Sequence, residues 1–318
     1  MKVVIPGGTG QVGTVLARHF HSKGHEVVIL SRGSKPAPWR IVQWDGQTLG
    51  PWVQELEGAD ALINLTGRVV NCRYNYKNRC EIWSSRSRSV RILGKALATL
   101  TIPPRVWLQA GTATIYAHRF DAPNDESTGI IGGTEDASPD KWRFSIDVAR
   151  AWEGEFALID APKTRKVILR SAMTMSPDRD GIFDYLLWLV RVGLGGKAGS
   201  GNQYISWIHH QDFINAIEFL IDHDELSGPV NIASPNPLPN REFMSQLRKA
   251  WGTKYAVPVY KWMLEVGAVF LGTESELVLK SRRVVPGRLL NAGFTFQYPD
   301  WAGASEDLCS RWKTASRK

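Results

Sequence analysis

The sequence predicts an α/β fold, a doubly wound parallel sheet carrying a smaller, mostly helical lobe toward its C-terminus. Three observations lead there. An apolar run, a glycine-spaced turn and an amphipathic segment follow one another within residues 3–20. Short apolar stretches then alternate with segments of helical period as far as residue 170, the pattern of parallel strands joined by crossover helices. From about residue 176 the composition turns aromatic and glycine-rich, and beyond Asn240 it reads mainly as helix. The expected division is a Rossmann-type nucleotide-binding domain over 1–239, with 176–210 contributing to the lobe, and a C-terminal substrate-lobe region over 240–318.

Val3, Val4 and Ile5 begin the chain as a buried central strand. Gly7, Gly10 and Gly13 follow at G-x-x-G-x-x-G spacing, with Thr9, Gln11 and Val12 between them. Val12, Val15, Leu16 and Phe20 then share one helical face. Gly7 permits the tight turn, Gly10 lets the backbone approach a pyrophosphate, and Gly13 lets the helix lie close on the sheet. The stretch reads as a phosphate cradle. Gly24 stops the helix, and Glu26–Leu30 is the second strand. Its end decides the cofactor. An acid there would accept a hydrogen bond from a ribose 2′-hydroxyl, but the chain has Ser31-Arg32-Gly33, with Lys35 close behind. A guanidinium holds a 2′-phosphate, so NADP(H) is favoured over NAD(H); the alternative is a plain surface arginine at a strand end.

Ile41–Trp44 is a third strand, and Asp45 beyond it either reaches an adenine or closes a simple turn. Asp60–Leu65 is the fourth, so that Leu65, Thr66 and Gly67 border the cofactor at the carboxyl edge of the sheet. A helix is expected over about 78–100, ended by Pro103-Pro104, and Val106–Ala110 is the fifth strand. The polar stretch 118–138 is long enough for a functional loop. Ser138-Pro139 starts a helix to about Ile159, Lys166–Arg170 is the sixth strand, and Phe183–Val192 is a buried helix. Tyr204–His209 leads through Asp212 into a helix ending near Ile221, and Val230–Ala233 is one more strand. Asn240 caps the next helix, and a Phe294–Tyr298 strand lies between the last ones.

Composition bounds the function classes. Apolar residues at 43% and charged residues at 22% describe a soluble globular chain of 318 residues. No apolar run reaches bilayer length and no basic-then-apolar leader precedes the first strand, which points to a cytoplasmic protein with no membrane partner. Cys72, Cys80 and Cys309 form no C-x-x-C pair, so neither a disulfide framework nor a metal site is expected. The net charge is +8, and the stretch from Arg68 to Arg91 holds seven basic residues against one acid, Glu81. A solvated helix face is the plainest reading and a counter-charge for an anionic cofactor the second. Nucleic-acid binding ranks last, because no recognised motif accompanies the charge. The expected partner is a small-molecule substrate, and the expected state a monomer or homodimer.

With these residues in view, the chain resembles the extended short-chain dehydrogenase/reductase superfamily, and more narrowly its atypical epimerase-family branch, the 39U type. The matching stretches are Gly7–Gly13, Gly24–Val27, Ser31-Arg32, Asn64–Gly67, Ser85-Arg86, Trp152-Glu153, Leu169–Ser171 and Gly193–Gly196. The run Gly199–Gln203 through Ser206–His209 with Asp212 is the most specific. Asn231–Ala233, Pro286 and Gly293-Phe294 extend the likeness into the C-terminal region of unknown function that this branch carries. The resemblance implies that Ser31 and Arg32 hold the 2′-phosphate and that Leu65 and Thr66 contact the adenosine side. It implies further that Glu81 and Arg86, within Glu-x-x-x-Ser-Arg, meet the cofactor, and that Thr174 lies near the nicotinamide end. Trp207 and His209, in the most specific run, are the candidate substrate contacts.

One departure from the superfamily matters. Its enzymes pair a Ser or Thr after the fifth strand with a downstream Tyr-x-x-x-Lys, whose tyrosine transfers the proton while the lysine lowers its pKa. Thr112 falls at the hydroxyl position, but counting back from Glu153 places Ser145 and Ala149 where Tyr and Lys belong. A serine is a far weaker acid, and alanine has no proton to give. Tyr116 either faces the cleft as a substitute acid or packs near the strand end. His209 with Asp212 is either a base with an orienting carboxylate or part of a helix-start cap. The expected activity is that of an NADP(H)-binding epimerase or oxidoreductase acting on a small polar or carbonyl substrate, with Thr112 and Tyr116 as catalytic candidates. The alternative is a non-catalytic NADP-binding regulatory or scaffold protein.

Overall fold

The computed structural model describes residues 1–33, 36–133, 140–260, 274 and 276–315. The first apolar run becomes β1 (Lys2–Pro6), buried from Val3 onward because it sits in the middle of the sheet. The other strands are β2 (Glu26–Ser31), β3 (Arg40–Gln43), β4 (Ala61–Asn64), β5 (Val106–Ala110) and β6 (Arg165–Ser171). Short β7 (Met173–Met175), β8 (Tyr204–Ile205) and β9 (Trp207–His209) follow, then β10 (Gly228–Ile232) and β11 (Leu238–Pro239). Seven of these form one sheet in the order β10-β6-β5-β4-β1-β2-β3, every pair parallel. Val3 pairs with Val27 on one side and Ala61 on the other, so the order of winding reverses between β1 and β4. This is a Rossmann-type sheet, and the crevice at that reversal is where such sheets receive ligands.

Helices cover both faces. Among the described residues these are α1 (Gln11–Ser22), α2 (Tyr76–Leu97), α3 (Asp140–Ala157), α4 (Ile182–Arg191), α5 (His210–Asp222), α6 (Asn240–Trp251), α7 (Glu276–Leu279), α8 (Gly287–Asn291) and α9 (Trp301–Ala315). Because side chains alternate along each strand, Val3 and Ile5 pack with Leu16, Phe20 and Ile217 of α1 and α5. Val4 and Val28 face the opposite way, onto Val90, Leu93, Trp152 and Phe156 of α2 and α3. A separate core holds the lobe together. Phe183, Leu187 and Trp207 meet Phe243, Trp301, Leu308 and Trp312 there, with Phe243 and Trp301 stacked at 4.0 Å and 11°.

Two local expectations are corrected. Asn240 does not cap α6: Pro239 occupies that position, and the buried Asn240 instead accepts a hydrogen bond from Ala198 N at 2.7 Å. Residues 294–298 form no strand; Gln297 and Tyr298 spend their amides on the Asp212 carboxylate, at 2.7 and 2.9 Å, rather than on a sheet neighbour. Ser138-Pro139 and Lys35 lie outside the described residues. Among the described residues, no helix is long and apolar enough to cross a membrane, and no group of His, Cys, Asp and Glu could hold a metal ion.

Candidate cofactor site and the polar cluster beside it

The glycine turn sits at the carboxyl end of β1, in the crevice. Gly7 has φ +74°, and a Cβ there would lie 2.8 Å from Thr66 Cα, so both backbone conformation and space require glycine. At Gly13 an added Cβ would stand 2.4 Å from Gly8 Cα, which is how closely α1 rests on the turn. Gly8 is tight as well, its missing Cβ 2.9 Å from Ile5 O. Sequence reasoning assigned Gly8 no role, although the Gly7-Gly8 doublet was a visible signal. Gly10 differs from the others: a Cβ there would meet nothing within 4 Å. Gly10 is also the N-cap of α1, with no side-chain cap and no acid in the first turn. The helix therefore presents its free N–H groups and partial positive charge to the crevice, beside exposed Thr9 and partly buried Gln11 and Val12.

Ser31 ends β2, its Oγ accepting from Gly33 N at 3.4 Å, and Arg32 beside it is exposed. Across the crevice, buried Asn64 fixes the Leu65–Gly67 loop. Its Oδ1 accepts from Thr66 N at 3.1 Å, while its Nδ2 donates to Gln109 Oε1 at 2.9 Å. Thr66 Oγ1 and Gln11 Nε2 are buried without a hydrogen-bond partner among the described residues. Such atoms are costly, and a polar ligand in the crevice would satisfy them. Arg86 of α2 lies across Gly67, where a Cβ would come within 3.2 Å of its guanidinium carbon. It donates to Arg68 O at 3.2 Å and Ile82 O at 2.9 Å, and its Cζ stands 5.0 Å from the Trp152 ring centre. No carboxylate among the described residues pairs with it, and burial pulls its pKa down to about 10. Glu81, on the same helix, is paired with Arg68 instead. Thr174 is buried in β7, its register partner Ile208.

The catalytic candidates separate. Thr112 is partly buried at the start of a tight turn over Ala113–Ile115, its Oγ1 accepting from Thr114 N at 3.1 Å. Tyr116 takes the packed alternative. It is 2% exposed, donating to Asn231 Oδ1 at 3.0 Å and accepting from Arg170 Nη1 at 2.9 Å. Arg170 in turn grips Glu153 through two bonds of 2.9 and 2.8 Å, and burial pushes the Tyr116 phenol up. The substrate expectations for Trp207 and His209 meet a physical obstacle: both are wholly buried. Trp207 points into the lobe core, edge-on to Trp301 at 5.0 Å. His209 takes the cap alternative, Nδ1 accepting from Gln211 N at 3.2 Å at the start of α5. Its carboxylate neighbour is Asp307, 3.1 Å from Nε2, because Asp212 is held by the amides of Gln297 and Tyr298. Burial keeps the His209 imidazole below its usual pKa.

At the two positions where the resemblance expects Tyr and Lys, the structure holds Ser145 and Ala149. Ala149 is packed among Ala113, Ile115, Tyr116 and Val284, leaving a lysine no room. Ser145, one turn earlier on α3 and partly exposed, donates from Oγ to Glu276 Oε2 at 2.7 Å. Glu276 is 2% exposed, and its other oxygen has no hydrogen-bond partner among the described residues. From the same C-terminal segment, Lys280 Nζ donates to Thr114 O at 2.8 Å and Arg282 Nε to Thr114 Oγ1 at 3.1 Å. Nothing near Glu276 in the sequence marks it, since its partner lies 131 positions away.

Comparison with known proteins places these features among relatives. Residues 3–137 match the NAD dependent epimerase/dehydratase family, and 260–308 match a domain of unknown function, DUF1731. The epimerase family protein SDR39U1 of Homo sapiens is 30% identical over 311 residues, spanning 97% of this chain and 99% of that protein. The crystal structure of human SDR39U1 (isoform 2) with NADPH has a TM-score of 0.84 at 27% identity, covering 98% of this chain and 99% of that one. A nucleoside-diphosphate sugar epimerase from Corynebacterium glutamicum has a TM-score of 0.74 at 26% identity, covering 99% of this chain and 61% of that one.

Proposed function

The chain belongs to the epimerase family that includes human SDR39U1, and from that premise we propose that it binds NADP(H) in the crevice and catalyses hydride transfer on a small polar substrate bearing a carbonyl or carbinol. The observation that carries the reading is what stands around the glycine turn. The uncapped N-terminus of α1 begins at Gly10, Gly7 rests on Thr66, whose buried Oγ1 has no hydrogen-bond partner among the described residues, and Arg86, with no carboxylate among the described residues, lies across the neighbouring Gly67. They fit an anionic dinucleotide.

In this reading the pyrophosphate lies on α1 beside Thr9, Gly10, Gln11 and Val12, with Gly7 and Gly13 shaping the turn. Ser31 and Arg32 hold the 2′-phosphate. Leu65, Thr66 and Gly67 border the adenosine side, where Arg86 adds a fixed positive charge and Glu81 acts through its neighbour Arg68. Thr174 stands near the nicotinamide. The bound nicotinamide supplies or accepts the hydride, while Thr112 hydrogen-bonds the reacting oxygen. The NADPH in the human relative and the sugar-nucleotide name of the bacterial one favour this cofactor and a phosphorylated or sugar-like substrate.

Fluorescence titration of NADPH and NADH against wild type and R32A tests the cofactor assignment. Loss of one charge-assisted contact, about 1.5–3 kcal/mol, weakens NADPH binding roughly 10–100-fold and leaves NADH nearly unchanged. Equal loss for both dinucleotides refutes the 2′-phosphate role. A panel of aldehydes, ketones and UDP-sugars, including methylglyoxal and UDP-glucose, tests the activity. Tight NADPH retention with no turnover across that panel would instead mark a non-catalytic binder.

A further inference from the structure

The C-terminal segment brings a buried carboxyl, that of Glu276, against Ser145, the residue that stands where the resemblance expects a proton-transferring tyrosine. We propose that Ser145 and Glu276 form a proton relay in place of Tyr-x-x-x-Lys: the Ser145 hydroxyl touches the reacting oxygen of the substrate, and Glu276 stores the proton behind it. The inference rests on the enzymatic reading above and supplies its missing acid.

Four observations carry it. Ser145, which counting back from Glu153 places where the resemblance expects the tyrosine, stands on α3, and α3 packs against the Ala113–Ile115 turn beginning at Thr112. Both Ser145 and Thr112 are partly open, whereas Tyr116 is sealed by Arg170 and Asn231. The Ser145–Glu276 hydrogen bond is well formed at 2.7 Å, and Glu276 Oε1 is buried and unpaired among the described residues. Finally, Arg282 and Lys280 fasten the same segment to Thr114, two residues beyond Thr112, fixing the carboxyl relative to the turn.

A lone serine cannot serve as the acid, because its ionised form is too costly. A relay removes that obstacle. As the carbonyl carbon accepts a hydride from the bound dinucleotide, the π electrons move to oxygen, which takes the proton of Ser145 Oγ. With Glu276 protonated, the 2.7 Å contact runs in the opposite sense, Oε2–H donating to Ser145 Oγ, and Ser145 takes that proton in the same event. The products are an alcohol, an intact serine and a carboxylate that regains its proton from water; oxidation runs the same path backward. Burial raises the Glu276 pKa above the ordinary carboxylate value, Arg282, Ser145 and Lys280 oppose the rise, and Glu274 reinforces it. The Tyr74 phenol hydrogen-bonds the same Ser145 hydroxyl; burial pushes it up, that bond opposes the rise, and Glu276 reinforces it. A carboxyl in that balance keeps its proton at higher pH than a solvated one and still releases it.

The test uses the full chain loaded with NADPH and the variants S145A, E276Q and E276D. With whichever panel member the wild type reduces, S145A and E276Q lose about 10²–10⁴-fold in hydride-transfer rate while NADPH affinity stays at the wild-type value. E276D restores part of the rate with a displaced alkaline limb in the pH–rate profile, which a merely structural contact would not move. Infrared difference titration reads the relay without turnover. A carboxyl band absent from E276Q titrates above the ordinary carboxylate range and shifts in S145A. Undiminished rates in both variants overturn the relay alone, and so does a Glu276 carboxyl that is ionised throughout or indifferent to S145A. No turnover of any panel member by the wild type overturns the parent reading and the relay with it.

Discussion

Replacing Arg86 with methionine should move apo stability and cofactor affinity in opposite directions. The guanidinium is held over Trp152 and Gly67 with two carbonyl acceptors and no carboxylate among the described residues. Burial pulls its pKa down to about 10, well below the ordinary guanidinium range, which sets roughly 3 kcal/mol against the charged form. Methionine removes that penalty and keeps an apolar stem on the indole. It strips a donor from Arg68 O, worth about 1 kcal/mol, whereas Ile82 O keeps a bond from Ser85 Oγ at 3.3 Å. R86M apoprotein should therefore be unchanged or up to about 2 kcal/mol more stable in urea. The same variant should bind NADPH roughly 10–100-fold more weakly, through loss of a charge-assisted hydrogen bond. At a ligand concentration of about 100 times the wild-type Kd, NADPH adds about 2.7 kcal/mol to the wild type. A roughly 30-fold weaker variant gains only about 0.9 kcal/mol. Paired urea titrations with and without NADPH read both numbers from tryptophan fluorescence. Apoprotein destabilised by more than about 1 kcal/mol, together with an undiminished NADPH increment, would show that Arg86 is a strut and refute the reasoning.

Further outcomes follow from buried charge elsewhere. E153A leaves Arg170, 8% exposed, without its carboxylate, and should cost about 3–5 kcal/mol in urea unfolding, most of it recovered in E153A/R170M; a single-variant loss under about 1 kcal/mol would mean the pair behaves as a surface bridge. His210 is held by burial and Arg311 down to about 4, against 6.5 when unfolded. The unfolded chain therefore binds more protons in that interval, so the stabilisation is present above pH 6.5 and is lost as pH falls toward 4. H210Q should flatten the acid slope by up to about 1.4 kcal/mol per pH unit, and unfolding midpoints at successive pH values that fall as steeply as in the wild type would exclude the assignment.

Much of the frame was legible because its signals are local. Strands β1, β2, β4, β5 and β6 are apolar runs next to turns or amphipathic stretches, and periodicity within a few residues finds them. Gly7 and Gly13 announced the turn for a reason the structure makes concrete, since side chains at either would strike backbone. Asn240 misled because a polar residue before an apolar helix usually caps it, and tertiary contact with Ala198 claimed the side chain instead. Phe294–Tyr298 had strand-like alternation, but Asp212 takes the amides that a sheet would need. The polar cluster was hidden for a different reason. Ser145 and Glu276 are unremarkable singly, and only the fold brings together residues so distant in sequence.

The fastening of the Thr112 turn also has a temporal side. Its clamps, Lys280 and Arg282, come 166 and 168 residues after Thr114, whereas β1, α1 and β2 are complete by residue 31. A chain emerging from the ribosome has its whole glycine turn, with the strands and helix around it, long before the segment that braces the Thr112 turn has been synthesised. Closing so long a loop comes late in folding as well, because its entropy must be met before its contacts repay it. Shaping of the glycine turn and bracing of the Thr112 turn are thus separated in the life of each molecule. In pulse-labelled exchange, the β1 amides should gain protection first, and the Ser281 amide, bonded to His118, last.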